Sequence, residues 1–137
     1  MAQDEESAVA HLMELAREVA RNSYSPYSRF KVGAALALSN GEIVTGTNVE
    51  NASYGVTICA ERAAIFQAVS RFGPGVRVRA VAVANLNDAA SPPCGACRQV
   101  LAEFTELEAL VAFPLAGEVR VMPFAELMPL ATELKLK

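Results

Sequence analysis

The sequence predicts an α/β fold: three αβα layers on a mixed sheet of about five strands, in a single domain over 1-137. Three observations predict it. Helical and strand-like segments interleave along the chain, which implies a sheet covered by helices on both faces. Val32 to Leu38 is a nearly continuous apolar run, as expected of a strand buried on both sides. Asn40-Gly41 directly after it is a strong hairpin signal, so the sheet opens with an antiparallel pair. The later strands are separated by helices and should include parallel pairs.

The elements follow in chain order. Glu5 to Arg21 predicts an amphipathic helix, with Val9, Leu12, Met13, Ala16, Val19 and Ala20 at helical spacing. His11, the one histidine, flanks that stripe and reads as a helix-surface or partly packed side chain. Ser23 to Ser28 is a loop in which Pro26 closes off helix. Val32 to Leu38 follows as the first strand, where Gly33 allows a backbone or ligand to come close. Glu42 to Thr45 returns as its partner, and Gly46 to Ile58 is polar and irregular. Cys59 to Phe72 predicts a helix with Thr57 as N-cap, ended by Gly73-Pro74-Gly75. Val76 to Ala84 alternates like a strand. A loop to Pro93 precedes a helix from Gly95 to Phe104. Ala109 to Phe113 and Glu118 to Met122 predict short strands, and Phe124 to Met128 a short helix.

Composition narrows the function classes. Hydrophobic residues make up 53% of the 137, enough for a packed core without disulfides. The net charge is −3 and no Lys/Arg-rich run occurs, which argues against a nucleic-acid polymer or an anionic membrane as partner. The polar, acidic start Met1-Ala2-Gln3-Asp4-Glu5-Glu6 is unlike a secretory signal, and no apolar run is long enough to span a bilayer. The expectation is a cytoplasmic protein with reduced thiols and a small-molecule ligand.

The three cysteines carry the chemistry. They fall in two clusters, Cys59-Ala60-Glu61 and Pro93-Cys94-Gly95-Ala96-Cys97. An odd number fits a disulfide framework poorly. A redox CxxC explains Cys94 and Cys97 but not Cys59 beside Glu61. A structural zinc site normally completes its tetrahedron with a fourth Cys or His, but no fourth cysteine exists and His11 is distant in sequence. Catalytic zinc instead takes three protein ligands and keeps one position open. One Zn²⁺ per chain on Cys59, Cys94 and Cys97 is therefore expected. Their predicted places at helix starts would favour thiolates. Three thiolates leave the site with excess negative charge, which Arg62, and Arg98 as a further candidate, could offset by hydrogen bonding to sulfur. Glu61, two residues from Cys59, is better placed to carry a proton than to be a fourth ligand.

These residues resemble the zinc-dependent nucleobase deaminases, with their [H/C]-x-E and P-C-x-x-C signature. The likeness extends to the cytidine deaminases through Ser25-Pro26-Tyr27-Ser28-Arg29-Phe30-Lys31-Val32-Gly33-Ala34-Ala35-Leu36 and Asn48-Val49-Glu50-Asn51-Ala52-Ser53-Tyr54-Gly55. Cys59-Ala60-Glu61-Arg62 and Ser91-Pro92-Pro93-Cys94-Gly95-Ala96-Cys97-Arg98-Gln99 complete the set. The resemblance implies a cytidine deaminase-like fold. It also implies hydrolysis of free cytidine and deoxycytidine to uridine and deoxyuridine, with ammonia released. Glu61 would protonate N3 and then help ammonia leave. Asn48 and Glu50 would bind the ribose hydroxyls, and Phe30 would pack against the base beside Ala60. Small all-cysteine members of the family are homotetramers, which implies that Ala52 and Tyr54 reach a neighbouring subunit's site. Members often carry an aromatic residue near the C-terminus that covers the substrate. Here Thr132 stands in its place, so a modified or bulkier cytosine nucleoside is the alternative substrate.

Overall fold

The computed structural model describes residues 2–129. Its backbone is a five-stranded mixed sheet with helices on both faces. The strands are β1 (Val32–Leu38), β2 (Ile43–Thr47), β3 (Val78–Asn85), β4 (Thr105–Leu115) and β5 (Glu118–Pro123), in the spatial order β2-β1-β3-β4-β5. The helices are α1 (Ala2–Ala20), α2 (Ala60–Phe72), α3 (Gly95–Phe104) and α4 (Phe124–Leu127). β1 pairs antiparallel with both β2 and β3, β3 pairs parallel with β4, and β4 pairs antiparallel with β5. The three layers, the antiparallel opening pair and the later parallel pair are those the sequence predicts.

Side-chain alternation decides which helix covers which face. Ala35, Ala82 and Ala84 pack under Leu12 and Ala16 of α1, so small side chains let this helix lie close to the sheet. Ala34, Leu36, Val81, Val83, Val111 and Phe113 point the other way, toward Ala64, Ile65 and Ala68 of α2, Leu101 of α3, and Phe124 and Leu127 of α4. Gly33 and Gly46 set two of these approaches. A Cβ on Gly33 would sit 2.0 Å from the Ala16 carbonyl of α1, and one on Gly46 would sit 2.5 Å from the Ala64 amide of α2. The close neighbour expected at Gly33 is therefore the α1 backbone. Gly46 belongs to β2 and lets the start of α2 lie against the sheet.

Several predicted boundaries move. α1 starts at Ala2, earlier than Glu5, and β2 runs on to Thr47 past the expected Thr45. β3 starts at Val78, after Val76 and Arg77. α2 is capped by Cys59 and not by Thr57, whose hydroxyl accepts the Asn51 N–H at 3.2 Å. β4 runs from Thr105, directly after α3, to Leu115, longer at both ends than the expected Ala109 to Phe113. His11 is exposed on α1, as expected. Leu130, Ala131 and Thr132 lie outside the described residues, and with them the predicted change of cover over the substrate.

Candidate active site

The starts of α2 and α3 converge at one end of β1 and β3. Cys59 is the N-cap residue of α2, Cys94 is the N-cap residue of α3, and Cys97 lies in the first turn of α3. Neither cysteine cap makes a side-chain capping bond, so both sulfurs are free to turn toward each other. The three Sγ atoms lie within 4.8 Å of one another. Tetrahedral zinc, with Zn–S bonds of about 2.3 Å, places its sulfurs roughly 3.8 Å apart. A set of three sulfurs on two helix N-termini, at this separation, fits one zinc ion.

The cluster is already polarised. Hydrogen bonding with Cys97, and secondarily the Arg62 guanidinium, pulls the Cys59 thiol down to about 5. The same contact with Cys59, together with burial, pushes the Cys97 thiol up. Arg62 Nη2 donates to Cys59 Sγ at 3.4 Å, the contact expected of a residue that tempers thiolate charge. Arg98 differs from expectation. Its Nε donates to the Pro93 carbonyl at 2.7 Å and its Nη1 to the Leu127 carbonyl at 3.3 Å, so it ties the Cys94 loop to α4 instead of touching sulfur.

Glu61 follows Ala60 at the start of α2 and is only 5% exposed. Burial, with a smaller push from the Cys59 sulfur, raises its carboxyl to about 7. It opens onto a cleft of about 360 Å³, lined also by Phe30, Asn48, Glu50, Tyr54, Cys59, Ala60 and Cys94. Clefts of about 300 Å³ and above suit small organic ligands. Ala52 is exposed and does not line this cleft. Tyr54 stands at its rim, 74% exposed, in a single 3₁₀ turn.

The polar wall is built from main-chain and side-chain bonds. Glu50 Oε1 accepts the N–H groups of Tyr27 (2.9 Å) and Ser28 (3.1 Å), and Oε2 accepts the Ser28 hydroxyl. The Ser28 hydroxyl is the main reason that the Glu50 carboxyl lies below its ordinary range, and the two N–H bonds add to it. Asn48 Oδ1 accepts the Val32 N–H at 2.9 Å, and Nδ2 donates to the Phe30 carbonyl at 2.7 Å. Arg29 just before Phe30 has a left-handed φ of 60°, and the Asn87 side-chain amide holds its carbonyl at 3.1 Å. That turn delivers Phe30 to the cleft.

Ser23, Ser28 and Asn85 shape this wall without having been singled out in the sequence. Asn85 ends β3 and uses its whole side chain. Nδ2 donates to the Ala89 carbonyl and to Ser91 Oγ, while Oδ1 accepts from the Asn87 and Ala89 N–H groups. It folds the loop that brings Ala90, Ser91 and Pro92 to the cleft. An Asn at a strand end before Asn87-Asp88 is a turn signal that could have marked it.

A family model described as the cytidine and deoxycytidylate deaminase zinc-binding region matches residues 6–113. The chain belongs to that family. It is 45% identical over 120 residues to a cytidine deaminase of Halalkalibacterium halodurans, covering 86% of this chain and 89% of that one. It is 44% identical over 114 residues to a cytidine deaminase of Mycobacterium tuberculosis, covering 83% and 81% of the two chains. The crystal structure of a cytidine deaminase from Burkholderia pseudomallei superposes with a TM-score of 0.80 at 42% identity, over 90% of this chain and 98% of that one. The matched region contains every cysteine of the chain, Glu61, and the Asn48 and Glu50 wall.

Proposed function

We infer that this chain is a zinc-dependent hydrolase that deaminates free cytidine and deoxycytidine to uridine and deoxyuridine. The observation that carries the reading is one constellation in a nucleoside-sized cleft. Three sulfurs lie within 4.8 Å of one another, with a buried glutamate next in sequence but one to the first. The relatives named above are called cytidine deaminases, which supports cytidine over the modified or bulkier nucleoside.

Cys59, Cys94 and Cys97 are the residues that would hold the ion. Zinc held there supplies Lewis-acid activation for hydrolysis. Glu61 holds the proton. It takes this proton from the attacking water and gives it to N3 of the ring as the water oxygen adds to C4. It then carries the remaining proton of that water to the amino nitrogen, which leaves as ammonia when the C4–N bond breaks. Arg62 offsets part of the thiolate charge. Phe30 and Ala60 pack the base, and Asn48 and Glu50 bind the ribose hydroxyls. Burial of Glu61 excludes bulk water from the proton path.

The same reading extends to assembly and place. The chain folds as one domain over 1-137 and works as a cytoplasmic homotetramer, with Ala52 and Tyr54 reaching a neighbouring subunit's cleft. Support comes from Tyr24, Tyr27, Val49, Tyr54 and Val56, all substantially exposed on the segments that build the cleft wall. Thiolate ligands also need a reducing compartment. Among the described residues, no helix is long and apolar enough to cross a membrane.

The deciding experiment combines metal analysis with an absorbance assay. About one zinc per chain and release of ammonia from cytidine are expected. Metal-free protein with no turnover of any cytosine nucleoside would sink the reading. Sedimentation should give a particle of four 14.5 kDa chains, and a monomer at working concentration would remove the shared-site claim.

A further inference from the structure

We propose that Ser23 is a positioning residue for substrate recognition, because it restricts Asn48 to a hydrogen-bond donor toward the cleft. The inference rests on the nucleoside reading above and concerns a residue outside the cleft lining.

Ser23 lies just beyond the C-terminus of α1 and is 7% exposed. Its place is fixed from several sides. Its N–H donates to the Ala20 carbonyl at 3.1 Å, and its own carbonyl accepts Lys31 Nζ at 3.3 Å. The next residue, Tyr24, accepts the Glu50 N–H at 2.8 Å. From this anchored position the Ser23 hydroxyl donates to Asn48 Oδ1 at 2.5 Å, with the Asn48 carbonyl 3.2 Å away.

The consequence follows from counting donors and acceptors. A carboxamide oxygen has two lone pairs, and its nitrogen has two N–H groups. On Asn48 one lone pair takes the Val32 N–H and the other takes the Ser23 O–H. One N–H goes to the Phe30 carbonyl, so among the described residues one N–H is left for a ligand. The Val32 and Phe30 contacts decide which end of the amide is oxygen. Ser23 closes the remaining acceptor. Glu50 is the opposite case: an ionised carboxylate only accepts, and three of its four lone-pair sites are taken by Tyr27 and Ser28. The wall thus presents one donor and one acceptor. A sugar hydroxyl that accepts from Asn48 and donates to Glu50 satisfies both. Without Ser23, Oδ1 regains an open lone pair, the amide can tilt, and the division between the two side chains blurs.

The test compares Ser23→Ala with the parent on cytidine and on 2′,3′-dideoxycytidine, which lacks the hydroxyls this wall would read. For cytidine, kcat/KM should fall about three- to tenfold, mostly through KM, as expected for one buried hydrogen bond. For the dideoxynucleoside it should change by less than about twofold. Ser23→Cys keeps the reach with a weaker donor and should give a smaller loss on cytidine alone. Melting temperature and zinc content monitor the fold. Equal losses on both nucleosides would make Ser23 merely structural and overturn the proposal, as would no loss on either. If the parent released ammonia from neither, the deaminase reading itself would fall, and the role of Ser23 with it.

Discussion

Glu61→Gln is expected to leave a folded, zinc-loaded protein whose kcat has fallen by about 10²–10⁴, the range for removing a positioned acid–base group. The change keeps the side chain's shape and its buried place at the start of α2. It removes the one property the mechanism needs, the ability to hold a proton and let it go. The sulfurs of Cys59, Cys94 and Cys97 are untouched, so metal content should stay near one per chain. Asn48, Glu50 and Phe30 are untouched as well, so the affinity for uridine should change little. Turnover, zinc and product affinity measured on the same preparation separate these effects. A kcat close to the parent's with zinc in place would end the role given to Glu61. Loss of zinc would mean instead that Glu61 is a ligand.

Much of this site was legible because its groups are local in sequence. Cys94 and Cys97 flank one helix start, and Cys59 and Glu61 flank another, so spacing alone suggested their grouping. That β1 is buried on both sides was legible in its nearly unbroken apolar run, whereas which face meets which helix was not. What escaped depends on distant pairing. β4 extends back to Thr105 because Thr105 pairs with Val78, whereas Leu110 pairs with Ala80. The intervening four residues of β4 face a single residue of β3, an irregularity that no local pattern in Thr105-Glu106-Leu107-Glu108 announces. Arg98 sits one residue after Cys97 and was therefore a candidate partner for sulfur. Its side chain turns to the carbonyls of Pro93 and Leu127, and the second of these is 29 positions away. Ser23 likewise meets Asn48 across 25 positions, through the return of the chain after β1 and β2.

Cys97→Ala is expected to abolish both metal binding and turnover, and to do so more completely than Arg62→Ala. Cys97 is the most enclosed of the three ligands, at 0% exposure, while Cys94 is exposed and Cys59 half-buried. Its removal leaves two sulfurs on two different helix starts, too few for a three-ligand catalytic zinc. Arg62→Ala keeps all three sulfurs and removes only the guanidinium that donates to Cys59. Loss of such a supporting contact typically costs about 10–100-fold in metal affinity or activity. Zinc binding contributes to folding free energy wherever only the folded chain assembles the ligands. The melting temperature of Cys97→Ala should therefore fall to about that of the parent treated with a chelator. Chelator should lower the parent's melting temperature and leave that of Cys97→Ala unchanged, because both treatments remove the same ion. A Cys97→Ala protein that still held one zinc per chain and deaminated cytidine at the parent rate would rule out the three-sulfur site.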